Sequence, residues 1–349
     1  MVHILTRRRL VCVAGGALAG MTLGQPTWAQ GKSARAVYPV ALPIYGPFFV
    51  AERKGYFRDE GLQVQLTQGG SGTKMREIMA AGEGDLGIGD FTHPLQMTNR
   101  GRPAKALAAL DTRAAGVFIV AESLFKQGVT DIAKLAAVKR ADGGRPILGV
   151  SSLGGTSHLW SSFFLEQMGV DRAFTFRGLG GTSSMLGALK SQQIDCLVLS
   201  QSALKDAESN GWGRFLFDMA DDANWNKYVG GKVPVTVYFT LQSTIERDPA
   251  MVQALVNALY RSVHWIAKAP AEEVLAEIEP YVGSTSRDAN LVEIAVGKRV
   301  ADVEGRIDAA SFERGGKVYF RELTGIKPVS LAEAYAPQFI DAAPAKARR

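Results

Sequence analysis

Cysteine is nearly absent from this chain: two residues in 349, Cys12 and Cys196. Cys12 falls in an N-terminal segment that reads as a removable leader, which leaves Cys196 as the one thiol and rules out an internal disulfide. In the apolar run Ile194-Asp195-Cys196-Leu197-Val198-Leu199 it reads as a small buried hydrophobe. Histidine is also scarce, at four residues; His93, His158 and His264 lie far apart, without HxxxH or HExxH spacing, which argues against a metal site. There is no P-loop and no G-x-S-x-G; Gly70-Ser71-Gly72 is too short for a nucleophile elbow. No catalytic residue, metal or cofactor is therefore expected. No Lys/Arg stripe is interleaved with aromatics, so nucleic-acid binding has no support.

Acid is missing from the first 29 residues. Thr6-Arg7-Arg8-Arg9-Leu10 is followed by the apolar, small-residue run Val11–Leu23, and Thr27-Trp28-Ala29 places small residues at −3 and −1 of a signal-peptidase site. The run is short of the roughly 20 residues a spanning helix needs. Twin arginines before it fit a Tat leader. Residues 1–29 are thus expected to be a leader cleaved near Ala29, and the remainder to be periplasmic. Arg7, Arg8 and Arg9 alone supply half of the formal net charge of +6, so the sequence pI of 9.2 overstates how basic the body is.

What remains is ordinary globular protein, 46% hydrophobic with 38 glycines, and long enough for about two domains. The stretch Ala41–Thr67 reads as strand end, loop, short helix, tight turn and strand. Leu62–Thr67 alternates apolar and polar residues, as a half-buried strand does. Residues 37–100 and 147–210 repeat one order: strand, loop and helix, three times over. Alternating β and α elements imply parallel or mixed sheets with helices on both faces, and two such halves imply two α/β lobes. The boundaries are placed at 30–122 for lobe 1 and 123–239 for lobe 2. Residues 240–349 are expected to return to lobe 1 and end in helices, beginning with the Asp248-Pro249 start of a long amphipathic helix to Lys268.

Several phrases resemble the SsuA/THI5-like (NMT1-like) family of ABC-transporter substrate-binding proteins. They are Pro47-Phe48-Phe49-Val50-Ala51, Gly55-Tyr56-Phe57 with Glu60-Gly61-Leu62, Gly70-Ser71-Gly72-Thr73, Ala80-Ala81-Gly82-Glu83-Gly84-Asp85, Gly154-Gly155-Thr156-Ser157-His158 and Gln193-Ile194-Asp195. The resemblance covers about Tyr38 to Lys268. It implies a periplasmic-binding-protein type II fold, two α/β lobes with a ligand cleft between them. It also implies a monomer that captures a small organic solute and hands it to an ABC permease. Gly89-Asp90-Phe91-Thr92-His93-Pro94 departs from the family's turn by carrying an acid, and Ala310–Arg349 matches no part of it.

In an open α/β sheet, ligands bind where strands hand over to helices, because helix N-termini present unpaired N–H donors. Ser71, Gly72 and Thr73 on one lobe and Gly155, Thr156 and Ser157 on the other would then face each other as an anion clamp. Arg177 offers a bidentate contact to a sulfonate or carboxylate, Asp90 a partner for an ammonium or ring N–H, and Tyr45, Phe91 and Tyr238 apolar walls. Each has a plainer reading: helix caps for the Ser, Thr and Asp, a surface ion pair for Arg177, core for the aromatics. The expected ligand is small, organic and anionic or zwitterionic, of sulfonate, taurine or carboxylate type. The alternatives are a receptor that presents its ligand to a membrane sensor and a cofactor-free enzyme on the same fold.

Overall fold

The computed structural model describes residues 31–282 and 286–346; the expected leader lies outside them. Ten strands carry the architecture: β1 Lys32–Tyr38, β2 Leu62–Gln68, β3 Leu86–Asp90, β4 Ala104–Ala109, β5 Val117–Ala121, β6 Ile147–Val150, β7 Thr175–Gly178, β8 Cys196–Leu199, β9 Gly213–Asp218 and β10 Thr236–Leu241. They form two five-stranded sheets, ordered β2-β1-β3-β10-β4 and β7-β6-β8-β5-β9. Four strands of each sheet run one way, and the fifth, β10 or β5, is inserted antiparallel between two of them. Helices flank both sheets, and from Lys32 onward the chain is one compact unit. Among the described residues no helix is long and apolar enough to cross a membrane.

The lobe boundaries expected from sequence need correction. β5 was placed in lobe 1 but pairs with β8 and β9 in the second sheet. Most of β10 was placed in lobe 2 but pairs with β3 and β4 in the first. Both are continuous apolar runs, VFIVA and TVYFTL, buried throughout. Such runs announce a strand covered on both faces, not the sheet that owns it. The chain therefore crosses between lobes at 110–116 and again at 232–235. The first strand pairs in register from Lys32 to Tyr38 with Leu62–Gln68 despite its polar beginning.

The crossings are bound to each other. Val233 N–H donates to the Thr112 carbonyl at 2.9 Å, and the Asp111 carboxylate accepts the N–H groups of Val235 and Thr236, each at 2.9 Å. A third segment runs alongside: Thr112 N–H donates to the Val300 carbonyl, and Asp302 N–H to the Leu110 carbonyl. The helix Pro249–Lys268, capped by Asp248, lies on lobe 1, where Ser262 Oγ donates to the Pro47 carbonyl at 2.8 Å. The residues that carry the resemblance support this packing. Gly55 and Gly61 both sit at φ 76°, a left-handed conformation that favours glycine. Phe57 and Leu62 are buried, and Glu60 accepts from Asn257 on the long helix at 2.9 Å.

The C-terminal region joins the lobes. The helix Arg287–Val300 reaches lobe 2 through Lys205–Asp288 at 3.2 Å and Arg299–Asp218 at 3.0 Å. Beyond the helix Ala309–Tyr319, Arg321 bonds Ser162 and Glu166 of the helix Thr156–Gln167. The described chain ends in the helix Pro337–Lys346, with Ala343 fully buried.

Candidate functional site

The carboxyl ends of β3 and β6 face each other. Asp90 ends β3, and one of its oxygens accepts both the N–H and the hydroxyl of Thr92, starting the helix Thr92–Asn99. Its cap role is thus real, although it lies one residue before the helix's formal cap. Its other oxygen accepts the Thr156 hydroxyl at 2.9 Å, across the cleft, at the first residue of the helix Thr156–Gln167. Beside it, Ser157 Oγ accepts the Ser151 N–H at 3.1 Å and pairs with the Ser151 hydroxyl at 3.0 Å, while Gly155 lies tight against Ser152. The loops after β3 and β6 therefore meet, with an acid on one side and hydroxyls on the other, where the sequence reading expects Ser71–Thr73 as the partner of Gly155–Ser157.

On the lobe 1 rim, Ser71 caps the helix Gly72–Ala81 by accepting the Lys74 N–H at 3.2 Å, and Thr73 is exposed. A Cβ on Gly72 would stand 3.0 Å from His93 Nε2, so glycine there makes room for an imidazole that sequence reasoning left aside. Burial and the charge of Arg76 hold His93 down to about 3, hence neutral. His158 is buried, and its Nδ1 accepts the Gly154 N–H at 2.8 Å.

Tyr45, half-buried, ends the short helix Pro43–Tyr45 near Asp90. Burial raises its hydroxyl pKa, and the charges of Asp90 and Asp111 raise it further. Three expected contacts are corrected. Phe91 takes helical angles at the turn after β3, which sends its ring inward against Tyr319 at 5.7 Å and Phe312 at 5.9 Å; it is fully buried. Tyr238 lies on the face of β10 that packs under Phe48, with ring planes 8° apart, so it is lobe 1 core and not a cleft wall. Arg177 lies exposed on the edge strand β7, with Nη1 donating to the Gln193 carbonyl at 3.0 Å, away from the loops that meet at Asp90.

Two residues not singled out from sequence complete the cleft floor. Asp111, 3% exposed, is raised to about 7, chiefly by burial and further by the charge of Asp90. Tyr319 is buried, its ring lies between Phe91 and Trp160, and both carboxylates act on its hydroxyl. Asp90 is likewise raised by burial. Neither acid has a cationic partner among its hydrogen bonds, so the floor is acidic and suits a donor more than an acceptor. Among the described residues no group of three or more His, Cys, Asp or Glu is placed to hold a metal ion.

A profile of the NMT1-like family matches residues 40–279. Among curated proteins, the chain is 32% identical over 92 residues to the 4-amino-5-hydroxymethyl-2-methylpyrimidine phosphate synthase of Aspergillus parasiticus, a match that spans only 26% of either chain. Among solved structures, a protein of Bordetella bronchiseptica RB50 superposes with a TM-score of 0.73 at 22% identity, covering 92% of this chain and 99% of that one. The periplasmic aliphatic sulphonate binding protein SsuA of Escherichia coli superposes with a TM-score of 0.68 at 16% identity, covering 89% and 99%. Both superpositions are of the periplasmic-binding-protein fold.

Proposed function

The chain belongs to the NMT1-like family, and on that premise we propose that it is the exported solute-binding component of an ABC importer. It works in the periplasm after loss of its leader, captures one small organic molecule between its lobes as a monomer, and presents it to a membrane permease. The observation that carries this reading is the Thr156–Asp90 hydrogen bond, which closes the cleft between two lobes joined by paired crossings. A ligand that touches both loops binds only when the lobes are together, so it shifts the population toward the closed form by its difference in affinity for the two states.

Capture without catalysis is supported by Cys196, whose thiol is buried with its pKa raised, so no thiolate is available. The partial likeness to the Aspergillus synthase makes turnover the competing reading. A thermal-shift and product-analysis screen over sulfonates, carboxylates, pyrimidines and amines separates the two. A rise of several degrees with the ligand recovered unchanged supports capture, and formation of any product rejects it. Reconstituted uptake with a permease then distinguishes transport from sensing.

A further inference from the structure

Between the Pro43–Pro47 loop and the last helices of lobe 1 lies a cavity of about 50 Å³, several times the ~10–15 Å³ one water needs. Its walls are apolar, formed by Pro43, Ile44, Ile266, Val274 and Ile294, with Gly297 leaving a gap in the helix Arg287–Val300. Its polar end is Asp111, whose Oδ1 already holds both backbone donors of the second crossing. Lys298 also borders the cavity, but its ammonium is turned to the Ala269 carbonyl, so only its stem faces inward. The Tyr238 hydroxyl is buried without a hydrogen-bond partner and lies within range of the Asp111 charge. A buried carboxylate with no cationic partner at the end of an apolar hollow lacks one thing, a buried donor carrying positive charge.

We propose that this cavity is an amine subsite of the ligand cleft, with a protonated amine against Asp111 and a short aliphatic or alicyclic body between Ile44, Ile266 and Ile294. The inference rests on the solute-capture reading. The subsite gives the ligand class a sign: the ligand carries an ammonium near the hinge, whatever its other end. Asp111 is also the side chain that ties the crossings together, so an amine bound there acts on the closure element itself.

The test is calorimetric titration of the full mature chain with n-butylamine and cyclohexylamine, and with butanesulfonate and butyrate as matched probes. Both amines are expected to bind and both anions to fail. Asp111→Asn keeps a carbonyl oxygen for Val235 and Thr236 and should weaken the amines at least about tenfold. Gly297→Leu is the second variant. An added Cβ meets nothing within 4 Å there, so the chain should fold while its side chain fills the hollow and abolishes amine binding. Unchanged amine affinity in a folded Gly297→Leu or Asp111→Asn protein overturns the subsite. Failure of both amines overturns it too, and if butanesulfonate or butyrate binds in their place, solute capture still stands. Chemical conversion of any probe overturns the capture reading itself.

Discussion

The Tyr319 hydroxyl donates to the carbonyl of Pro234, 85 residues upstream. The C-terminal region thereby holds the second crossing in place, while the same ring rests on Phe91 of lobe 1 and Trp160 of lobe 2. Tyr319→Phe keeps the ring and leaves the buried carbonyl without its donor. It should cost about 1–3 kcal/mol, read by urea denaturation.

Tyr238→Phe should behave oppositely. Its hydroxyl is buried and unpartnered, so removing it takes away a desolvation cost and no bond. Stability of the unliganded protein should stay level or rise by up to about 1 kcal/mol. A loss larger than that in the same denaturation experiment would mean the hydroxyl has a partner after all.

Thr156→Val removes the donor to Asp90 and little volume. Loss of one charge-assisted bond, about 1.5–3 kcal/mol, should move the unliganded protein toward an open form, seen as a larger radius of gyration in small-angle scattering. The melting temperature should change little, because each lobe keeps its own core. Asp90→Asn should weaken ligand at least about tenfold, near 1.4 kcal/mol. An equal fall in affinity and in melting temperature would mark Asp90 as only the start of the helix Thr92–Asn99.

Asp111 sets a pH dependence. Its folded pKa, raised to about 7 from the ordinary 3.8, means the folded state binds the proton more tightly. Its contribution is therefore full below about pH 4 and is lost as pH rises through 7, by a few kcal/mol in order of magnitude. The groups acting on this site are Asp90, Tyr45, Tyr238 and Tyr319, with Lys298 at the cavity rim. His93 works the other way: held to about 3, it costs stability as pH falls below the ordinary 6.5. The difference between the native chain and Asp111→Asn isolates the acid: melting temperatures should converge near pH 4 and diverge at pH 8, with the variant higher. A constant difference across that range would remove Asp111 as the titrating group.

Much of this was readable in advance because local patterns set it. The helix Pro249–Lys268 begins at its Asp-Pro pair and β5 and β6 lie where their apolar runs are. Strand-to-helix order pointed to the loops that carry Asp90 and Thr156, but not to their bond with each other. What escaped was decided by distant partners. Ala104–Ala109 is alanine-rich with weak strand character of its own, and becomes a strand by pairing with β10. Phe91 and Tyr238 looked like cleft walls because residues from far along the chain, Phe312, Tyr319 and Phe48, were not known to cover them. Asp111 carried no motif; its importance comes from donors more than a hundred residues away.

The exchanged strands also dictate when this protein can fold. β3 and β4 have no β10 between them until the chain has been made past residue 241, and β5, made early, has no partner in its own sheet until β8 and β9 follow. Until then lobe 1 presents open sheet edges, the state most prone to wrong pairing. Pairings such as Asp90 with Thr236 raise the contact order and slow the search. A nascent chain stopped before β10 should therefore stay protease-sensitive throughout lobe 1.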